Sequence, residues 1–317
     1  MQDNTSTRKS GLVAIAGRPN AGKSTLLNRI LGSAVSIVTP KAQTTRERVL
    51  GILTEERGQI VFVDTPGIHA AKKGGFNEFM VSEAAEALEG PNLIWYLVDP
   101  DSAIEHEKAV IELLDRRADR RTPVWILLNK ADLGRDVVPL GEKIRSLLVA
   151  LGFDSVIVFI ISGRRGRGVD ELVKESWKLL PEGPFLFPDE EQISDRPLRF
   201  FVGEKIREQL FMKLGDELPY SCAVEITKYQ ENSNPVRIEA TIHVERDSQK
   251  GMVIGAGGKK IKEIGMAARK AIEEFVGGPV FLGLQVKVLP HWTRNAETLK
   301  KLGYHLPQER GEKRGKS

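Results

Sequence analysis

The sequence is poor in cysteine and in long apolar runs. Cys222 is the single cysteine among 317 residues, so an internal disulfide is excluded, and a lone thiol is typical of a protein in a reducing compartment. No apolar run approaches the roughly 18 residues of a membrane span, and residues 1–10 lack the apolar core of a signal peptide. His69, His106 and His243 have no metal-ligand spacing. We therefore expect an intracellular, cytoplasmic protein without a transmembrane segment.

Charge is distributed unevenly along a chain that is long enough for two domains. Residues 1–198 contain 26 Lys and Arg against 28 Asp and Glu, a net charge of −2. Residues 199–317 contain 21 against 15, a net charge of +6. A basic excess in the second part indicates contact with a polyanion, and a solvated basic surface is the ordinary alternative.

A phosphate-binding loop is predicted at Gly17-Arg18-Pro19-Asn20-Ala21-Gly22-Lys23-Ser24. An apolar run precedes it at 12–16, and a helix-forming run follows it at 26–31. The glycines allow successive backbone N–H groups to point at a phosphate that lies at the positive end of the helix dipole. We expect Lys23 to reach the outer phosphates and Ser24 to bind a magnesium ion.

Two further segments extend the predicted phosphate and magnesium site. In the threonine-rich segment 41–46, one hydroxyl is expected to reach the metal, and the sequence leaves open whether it is that of Thr44 or Thr45. The second segment, 64–67, follows a predicted buried strand. There the Asp64 carboxylate is suited to hold the metal through water, and Gly67 allows a backbone N–H to approach the terminal phosphate.

The base is predicted from Asn129-Lys130-Ala131-Asp132, which ends a strand-like run. A carboxylate at Asp132 accepts hydrogen bonds from the ring N–H and the exocyclic amine of guanine, whereas adenine presents an acceptor at the ring position. Sites that demand such bonds reject the wrong partner by a factor of about 10⁴ or more, because buried polar groups are otherwise left unpaired. The sequence therefore predicts a guanine nucleotide, with Ser162 in a loop that covers the base.

Strands alternate with helices through the first part of the chain, which predicts an α/β fold with a mainly parallel sheet. The predicted strands are 12–16, 48–53, 59–63, 93–98, 124–128 and 156–161, and the helices are 26–31, 78–88, 105–117 and 140–151. Residues 181–198 are rich in proline and acidic residues and are predicted to be a linker. The expected domains are 1–180 and 199–308, followed by a disordered basic tail, 309–317.

The second domain is predicted to have an α-β-β-α-α-β order with a glycine loop late in the chain. Gly255-Ala256-Gly257-Gly258 has the G-x-x-G form and stands before Lys259, Lys260 and Lys262. This is the arrangement of a type II KH domain, which holds the backbone of about four single-stranded nucleotides. The middle positions, Ala256 and Gly257, carry no charge, so phosphate contacts rest on the backbone and the lysines. The alternative is that the glycines only form the turn before a helix in a small α+β domain, and that the lysines are exposed to solvent without binding RNA.

Together these motifs resemble the Era GTPases. The resemblance rests on segments 17–24, 64–67, 129–132 and 253–262, on Gln43-Thr-Thr-Arg46 and on Leu214-Gly-Asp-Glu-Leu-Pro-Tyr220, and it runs from about residue 10 to about residue 305. It implies a Ras-like P-loop GTPase domain followed by an α+β type II KH domain. It further implies a monomeric, GTP-hydrolysing factor in assembly of the small (30S) ribosomal subunit, which binds near the 3′ end of 16S ribosomal RNA. Peripheral association with the inner face of the cell membrane is also implied.

The expected functional residues form four groups. The GTP-binding residues are Gly17, Arg18, Pro19, Asn20, Ala21, Gly22, Lys23, Ser24, Thr25, Asp64, Thr65, Pro66, Gly67, Ile68, Asn129, Lys130, Ala131, Asp132 and Ser162. The catalytic residues are Lys23, Asn20, Thr45 and Gly67, and the magnesium ligands are Ser24, Thr45 and Asp64. The RNA-binding residues are Ile254, Gly255, Ala256, Gly257, Gly258, Lys259, Lys260 and Lys262.

The expected mechanism departs from that of Ras-like enzymes, which orient the attacking water with a glutamine directly after Asp-x-x-Gly. Here that position is Ile68, which has no polar group. We hypothesise that Asn20 holds a potassium ion that replaces the charge of an arginine finger, with slow intrinsic turnover. Two other functions stay open at this point: a GTPase coupled to RNA modification, and an RNA-binding module with an inactive nucleotide pocket.

Overall fold

The computed structural model describes residues 8–41, 43–69, 75–215 and 217–304. The predicted tail, 309–317, lies outside the described residues, as do Ala42 of the threonine-rich segment and Asp216 of the Gly-Asp-Glu-Leu-Pro-Tyr motif.

A six-stranded sheet organises the first part of the chain. Its strands are β1 (Lys9–Gly17), β2 (Val49–Glu55), β3 (Gly58–Asp64), β4 (Leu93–Val98), β5 (Val124–Leu128) and β6 (Val156–Ile160). The strand order is β2-β3-β1-β4-β5-β6, and every neighbouring pair is parallel except the antiparallel pair β2 and β3. The prediction of a mainly parallel sheet is confirmed. All residues of β3, β4 and β5 are buried, because helices cover both faces of a parallel sheet.

In the part of the chain that the structure describes, five helices cover this sheet. They are α1 (Lys23–Leu31), α2 (Phe76–Glu86), α3 (Ile104–Arg117), α4 (Val138–Ala150) and α5 (Val169–Leu179). Side chains of α2, α3 and α4 belong to one core cluster, and those of α1 and α5 belong to another. Sequence reasoning assigned no element to α5, although Val169, Leu172 and Trp177 have helical spacing and are buried. The predicted phosphate, metal and base segments all lie at the carboxyl edge of this sheet, where parallel α/β folds bind ligands.

The segment 181–198 is hydrogen-bonded to strands β2 and β3 of the sheet. The Ile52 N–H of β2 donates to the Ile193 carbonyl at 2.9 Å, and the Ser194 hydroxyl donates to the Leu50 carbonyl at 2.6 Å. Further along, the side chain of Gln59 in β3 bonds the backbone of Phe187 twice, at 2.8 and 3.0 Å. The exposed edge of β2 is therefore covered, which removes a site for unwanted strand pairing.

The second part of the chain is a smaller α+β unit. Its elements are α6 (Leu198–Lys213), β7 (Ala223–Gln230), β8 (Val236–Val244), α7 (Asp247–Ile254), α8 (Lys259–Val276), β9 (Val280–Val288) and α9 (Ala296–Lys301). The sheet order is β7-β8-β9, with β8 antiparallel to β7 and parallel to β9. The predicted α-β-β-α-α-β order is confirmed. Helices α6 and α8 pack on one face of the sheet through Val202, Ile206, Ala268 and Ile272.

An aromatic cluster joins the two parts. Phe76 and Phe79 of α2 contact Tyr304, with ring centroids 5.0 and 5.5 Å apart, and Phe76 also contacts Trp292 at 5.6 Å. Leu299 of α9 belongs to the same buried cluster. In the ranges that the structure describes, no helix has both the length and the apolar character that a membrane span requires.

We predict that Gln59→Leu loosens segment 181–198. Gln59 is fully buried, and its loss leaves the Phe187 N–H and C=O without their partners. The free energy of unfolding should fall by about 1–3 kcal/mol, and limited proteolysis should cut faster between residues 183 and 192. Gln192→Leu, which removes a single local bond to Ser194, is the matched control. Unchanged stability and cleavage in Gln59→Leu would contradict the role given to this side chain.

Candidate functional site

A cavity of about 400 Å³ lies at the carboxyl edge of the six-stranded sheet. It is lined by these predicted site residues: Pro19, Asn20, Gly22, Lys23, Ser24, Thr25, Thr45, Gly67, Asn129, Lys130 and Asp132. Residues that sequence reasoning did not assign to the pocket also line it, namely 37–40, Gln43, Leu133 and Arg164, and so does Thr44, the alternative metal ligand. The phosphate loop, the threonine-rich segment and the base segment therefore face one cavity.

The phosphate loop has a backbone that requires glycine. Gly22 has a φ of 98°, and a Cβ at this position would lie 2.3 Å from Asn129 Nδ2. Helix α1 begins at the next residue, Lys23, whose Nζ donates to the carbonyls of Gly17 and Arg18 at 3.0 and 2.9 Å. Burial lowers the pKa of Lys23 to about 8, and attraction to Asp64 and Glu107 opposes that shift.

Asn129 connects the phosphate loop to the loop after β6. Its side chain is buried, its Nδ2 donates to the Ala21 carbonyl at 2.7 Å, and its Oδ1 accepts from the Gly163 N–H at 2.8 Å. The phosphate end and the base end of the cavity are thus tied together by one amide.

Oxygen atoms gather beside the phosphate loop. The Ser24 hydroxyl donates to Asp64 Oδ2 at 2.7 Å and lies 3.0 Å from the Thr45 hydroxyl. Ser36, which sequence reasoning missed, also donates to Oδ2, at 2.8 Å. Burial raises the pKa of Asp64, and the nearby Lys23 ammonium opposes this. Of the two candidate threonines, the structure brings the Thr45 hydroxyl to Ser24.

These oxygens suit a magnesium ion. Asp64 Oδ1 is buried and has no hydrogen-bond partner among the described residues, although a carboxylate oxygen in that position needs one. Hydroxyl and carboxylate oxygens are the ligands that Mg²⁺ prefers. The donor set formed by Ser24, Thr45 and Asp64 therefore fits the predicted metal.

The base segment presents an ionised carboxylate. The Ser162 hydroxyl donates to Asp132 Oδ1 at 2.5 Å, and this bond lowers the pKa of Asp132. The Ser162 hydroxyl also accepts from the Arg165 N–H at 3.0 Å, so the loop after β6 is fixed to the base segment. An ionised carboxylate is the acceptor that the two N–H donors of guanine require.

Several predicted GTP-binding residues do not line the cavity. They are Gly17, Arg18, Ala21, Asp64, Thr65, Pro66, Ile68, Ala131 and Ser162. Ile68 is buried in the core, and its N–H donates to the Gly17 carbonyl at 3.0 Å. The Thr65 hydroxyl donates to the Ile15 carbonyl of β1 at 2.8 Å. Both residues connect the segment that follows β3 to β1 by hydrogen bonds and do not face the cavity.

Arg18 points away from the cavity toward α3. Its Nη1 donates to the Ser102 hydroxyl at 2.8 Å and lies 3.9 Å from Glu107. Glu107 is fully buried and accepts the Tyr96 hydroxyl at 2.6 Å. Sequence reasoning missed Glu107, although an acidic residue in helical register with Val110 and the buried face of α3 was the available signal.

The threonine-rich segment contacts the second part of the chain through Arg46. Its guanidinium donates to the carbonyls of Cys222, Pro219 and Tyr220 at 2.8, 3.2 and 3.2 Å. Sequence reasoning placed Arg46 in a motif without giving it a role. The Leu-Pro-Tyr part of the motif at 214–220 therefore supplies hydrogen-bond acceptors to Arg46 of the motif at 43–46.

The glycine loop of the second part is a left-handed turn between α7 and α8. Gly255, Gly257 and Gly258 have φ values of 71°, 59° and 76°. Lys260 pairs with Glu263 at 2.9 Å, whereas Lys259 and Lys262 are exposed and have no ion pair within the described ranges. The turn thus places two unpaired lysines at the start of α8, where a helix N-terminus favours a phosphate, whereas the N–H groups of Gly255, Gly258 and Lys259 donate to carbonyls within 251–256.

Two family models match the sequence. The model of the 50S ribosome-binding GTPases matches residues 12–130, and the model of the KH domain matches residues 217–293. The first match covers the phosphate loop through Lys130, and the second covers the glycine turn.

Relatives match along almost the whole chain. The GTPase Era of Geobacter sp. (strain M21) is 45% identical over 300 residues, which cover 93% of this chain and 98% of that protein. A crystal structure of an Aquifex aeolicus Era variant bound to GDP.AlF4- is 39% identical, with a TM-score of 0.85 over 94% of this chain and 100% of that chain. The same values hold for Era in complex with MgGDPNP and nucleotides 1506–1542 of 16S ribosomal RNA. The chain therefore belongs to the Era family of GTPases.

Proposed function

We propose that this protein binds and hydrolyses GTP and binds ribosomal RNA during assembly of the small (30S) ribosomal subunit. The observation that carries the proposal is the single cavity lined by the phosphate loop, Thr45 and Asp132, in a chain that also has the glycine turn of a KH domain. A family structure that contains nucleotides 1506–1542 of 16S ribosomal RNA supports a binding site near the 3′ end of that RNA.

In the proposed reaction, the side chains act mainly by charge and position. Lys23 neutralises the outer phosphates, and Ser24, Thr45 and Asp64 hold magnesium, which when bound offsets the charge that develops as the phosphate bond breaks. Gly67 directs a backbone N–H to the terminal phosphate. A Cβ at residue 67 would lie 2.6 Å from the Pro19 Cα, so the close packing of these loops requires glycine.

The attacking water has no side-chain partner at residue 68. Because the Ile68 side chain is buried and its N–H is bonded to Gly17, we propose that backbone groups orient the water and that intrinsic turnover is slow. Asn20 is exposed at the rim of the cavity and has a φ of 63°. We propose that its amide oxygen binds potassium, which offsets negative charge near the phosphates.

The proposal extends to organisation and location. The domains are 1–180 and 199–308, connected by 181–198, and the protein acts as a monomer in the cytoplasm with peripheral contact to the inner face of the cell membrane. The division is supported by core clusters that each contain residues of one part only: one contains residues from 14 to 158, and two contain residues from 202 to 288. The family resemblance supports the remaining points.

We predict that GTP hydrolysis by the wild-type protein is faster in potassium than in sodium by about tenfold or more. Asn20→Ala should hydrolyse GTP at the same low rate in both salts, because it lacks the proposed ligand. Phosphate release at equal ionic strength is the measurement, and an unchanged GDP affinity in Asn20→Ala is the control. Equal rates in all four combinations would rule out the potassium role.

We predict that Lys23→Met stabilises the nucleotide-free protein at pH 7 by about 1–3 kcal/mol, because it removes a buried ammonium. The folded pKa of about 8 lies below the ordinary value of 10.5, so the unfolded chain binds more protons between these values. Wild-type stability therefore rises relative to Lys23→Met by about 1.4 kcal/mol per pH unit above pH 8.

Denaturant unfolding of both proteins at pH 7.0 and pH 9.5 tests this prediction. Lys143→Met, which removes an exposed lysine of α4, is the control for a change in charge alone. A stability difference between wild type and Lys23→Met that stays the same at both pH values contradicts the prediction.

We predict that Lys259→Ala/Lys262→Ala weakens binding to single-stranded RNA from the 3′ end of 16S ribosomal RNA. The slope of log K against log salt should fall by about 0.7 for each lost phosphate contact. Arg269→Ala/Lys270→Ala, which removes two paired cations of the same helix, is the matched control. An equal loss of affinity in both double variants would show that net charge, not the glycine turn, controls binding.

A further inference from the structure

Arg46 belongs to the first domain, but its side chain is bound by the second. The residue is 3% exposed, and the four acceptors of its guanidinium within the described ranges come from the second domain. Three of them are the carbonyls of Pro219, Tyr220 and Cys222, and the fourth is the Tyr304 hydroxyl at 3.4 Å.

The surroundings of this guanidinium contain aromatic faces and no ion-paired carboxylate among the described residues. Its carbon lies 5.0 Å from the ring centre of Phe76, 5.8 Å from Trp292 and 6.0 Å from Phe211. A buried cation without an anion depends on its hydrogen-bond acceptors and on π faces. Removal of the turn formed by 219–222 would therefore leave this charge unpaired, so Arg46 is held in place by the second domain.

The position of Thr45 follows from that of Arg46. Adjacent Cα atoms are about 3.8 Å apart across a trans peptide, so anchoring Arg46 restricts where the Thr45 hydroxyl lies. That hydroxyl is 3.0 Å from Ser24 Oγ, beside Asp64.

One more bond anchors the same stretch of the first domain. Lys41 Nζ donates to the Leu214 carbonyl. The threonine-rich segment is thus held by the second domain on both sides of Thr45.

We propose that Arg46 is a positioning residue for magnesium-dependent GTP hydrolysis, and that the second domain completes the metal site by holding it. This inference rests on the proposed role of Thr45 as a magnesium ligand. Arg46 itself touches neither the metal nor the nucleotide. It acts through its neighbour, and its anchor is the Leu-Pro-Tyr turn of the second domain.

Arginine suits this role better than lysine. Its planar group reaches three carbonyls from two nitrogens while its faces meet aromatic rings. A lysine ammonium is a point charge on a flexible stem and has neither the fork nor the flat face. Arg46→Lys is therefore expected to keep the charge and to lose much of the positioning.

The test uses full-length Arg46→Ala, Arg46→Lys, Thr45→Ala and Arg48→Ala. Arg48 is two residues further on, is partly exposed and pairs with Glu83 and Glu86 of α2, so it is the matched control. The measurements are the affinities for GDP and for GDPNP with magnesium, and the magnesium concentration that gives half-maximal hydrolysis. Because contacts of the terminal phosphate and its magnesium ion order this kind of segment in GTPases, we expect Thr45 to contact the metal only when that phosphate is present.

We expect Arg46→Ala to bind GDP within about twofold of wild type and GDPNP about tenfold or more weakly, with a similar rise in the magnesium midpoint. Arg46→Lys should lie between Arg46→Ala and wild type, and Arg48→Ala should match wild type. A general folding defect would instead lower both affinities together. If Arg46→Ala does not fold, the ratio of GDP to GDPNP affinity is measured in Arg46→Lys instead.

Two results overturn the inference in distinguishable ways. If Thr45→Ala selectively loses GDPNP affinity while both Arg46 variants keep the wild-type ratio of GDP to GDPNP affinity, the positioning role of Arg46 is wrong and the metal role of Thr45 stands. If Thr45→Ala also keeps the wild-type ratio, the metal role of Thr45 is wrong, and this inference falls with it.

Discussion

The two hydrogen bonds of the Asn129 amide hold the nucleotide site together. One joins the phosphate loop at Ala21, and the other joins the loop after β6 at Gly163. Both are made in a buried environment, where a hydrogen bond is electrostatically stronger than in water and a missing partner is costly. The distance between the phosphate-binding and base-binding ends is thereby set by one rigid side chain. Gly22 has no Cβ because the Asn129 side chain occupies that space.

The second domain packs directly against the domain that contains the nucleotide site. Phe76 and Phe79 of α2 contact Trp292 and Tyr304, and Arg46 of the threonine-rich segment donates a hydrogen bond to the second domain beside them. The threonine-rich segment, which we propose to meet the terminal phosphate, therefore forms one wall of the domain interface. A rearrangement of this segment would change its contacts with the domain that carries the glycine turn, which gives the two proposed sites a physical connection.

The parts of the site that sequence reasoning predicted are those encoded by short contiguous segments. Phosphate and base recognition use backbone N–H groups and residues at strand ends. Segments 17–24, 64–67 and 129–132 could therefore be identified from the sequence alone. The positive φ of Gly22 agrees with the glycine predicted at that position. The rest depends on partners far away in the chain. The sequence around Gln59 does not indicate its hydrogen bonds to Phe187, and the sequence around Arg46 does not indicate its bonds to the carbonyls of 219–222. The ion pair of Lys260 with Glu263 depends on which face of α8 each residue occupies. Helix α5 escaped notice because charged residues outnumber the apolar residues that mark its buried face.

Cys222 gives this interface a chemical property of its own. Its thiol is fully buried and donates to the Leu218 carbonyl at 3.2 Å, while its own carbonyl accepts from Arg46. Burial raises the pKa of the thiol to about 12, so the reactive thiolate is scarce in the folded protein. The side chain packs in the core of the second domain, against residues that include Leu210, Ile242 and Val253. Because the sequence contains no other cysteine, alkylation of the native protein measures how often this core opens beside the carbonyl that holds Arg46.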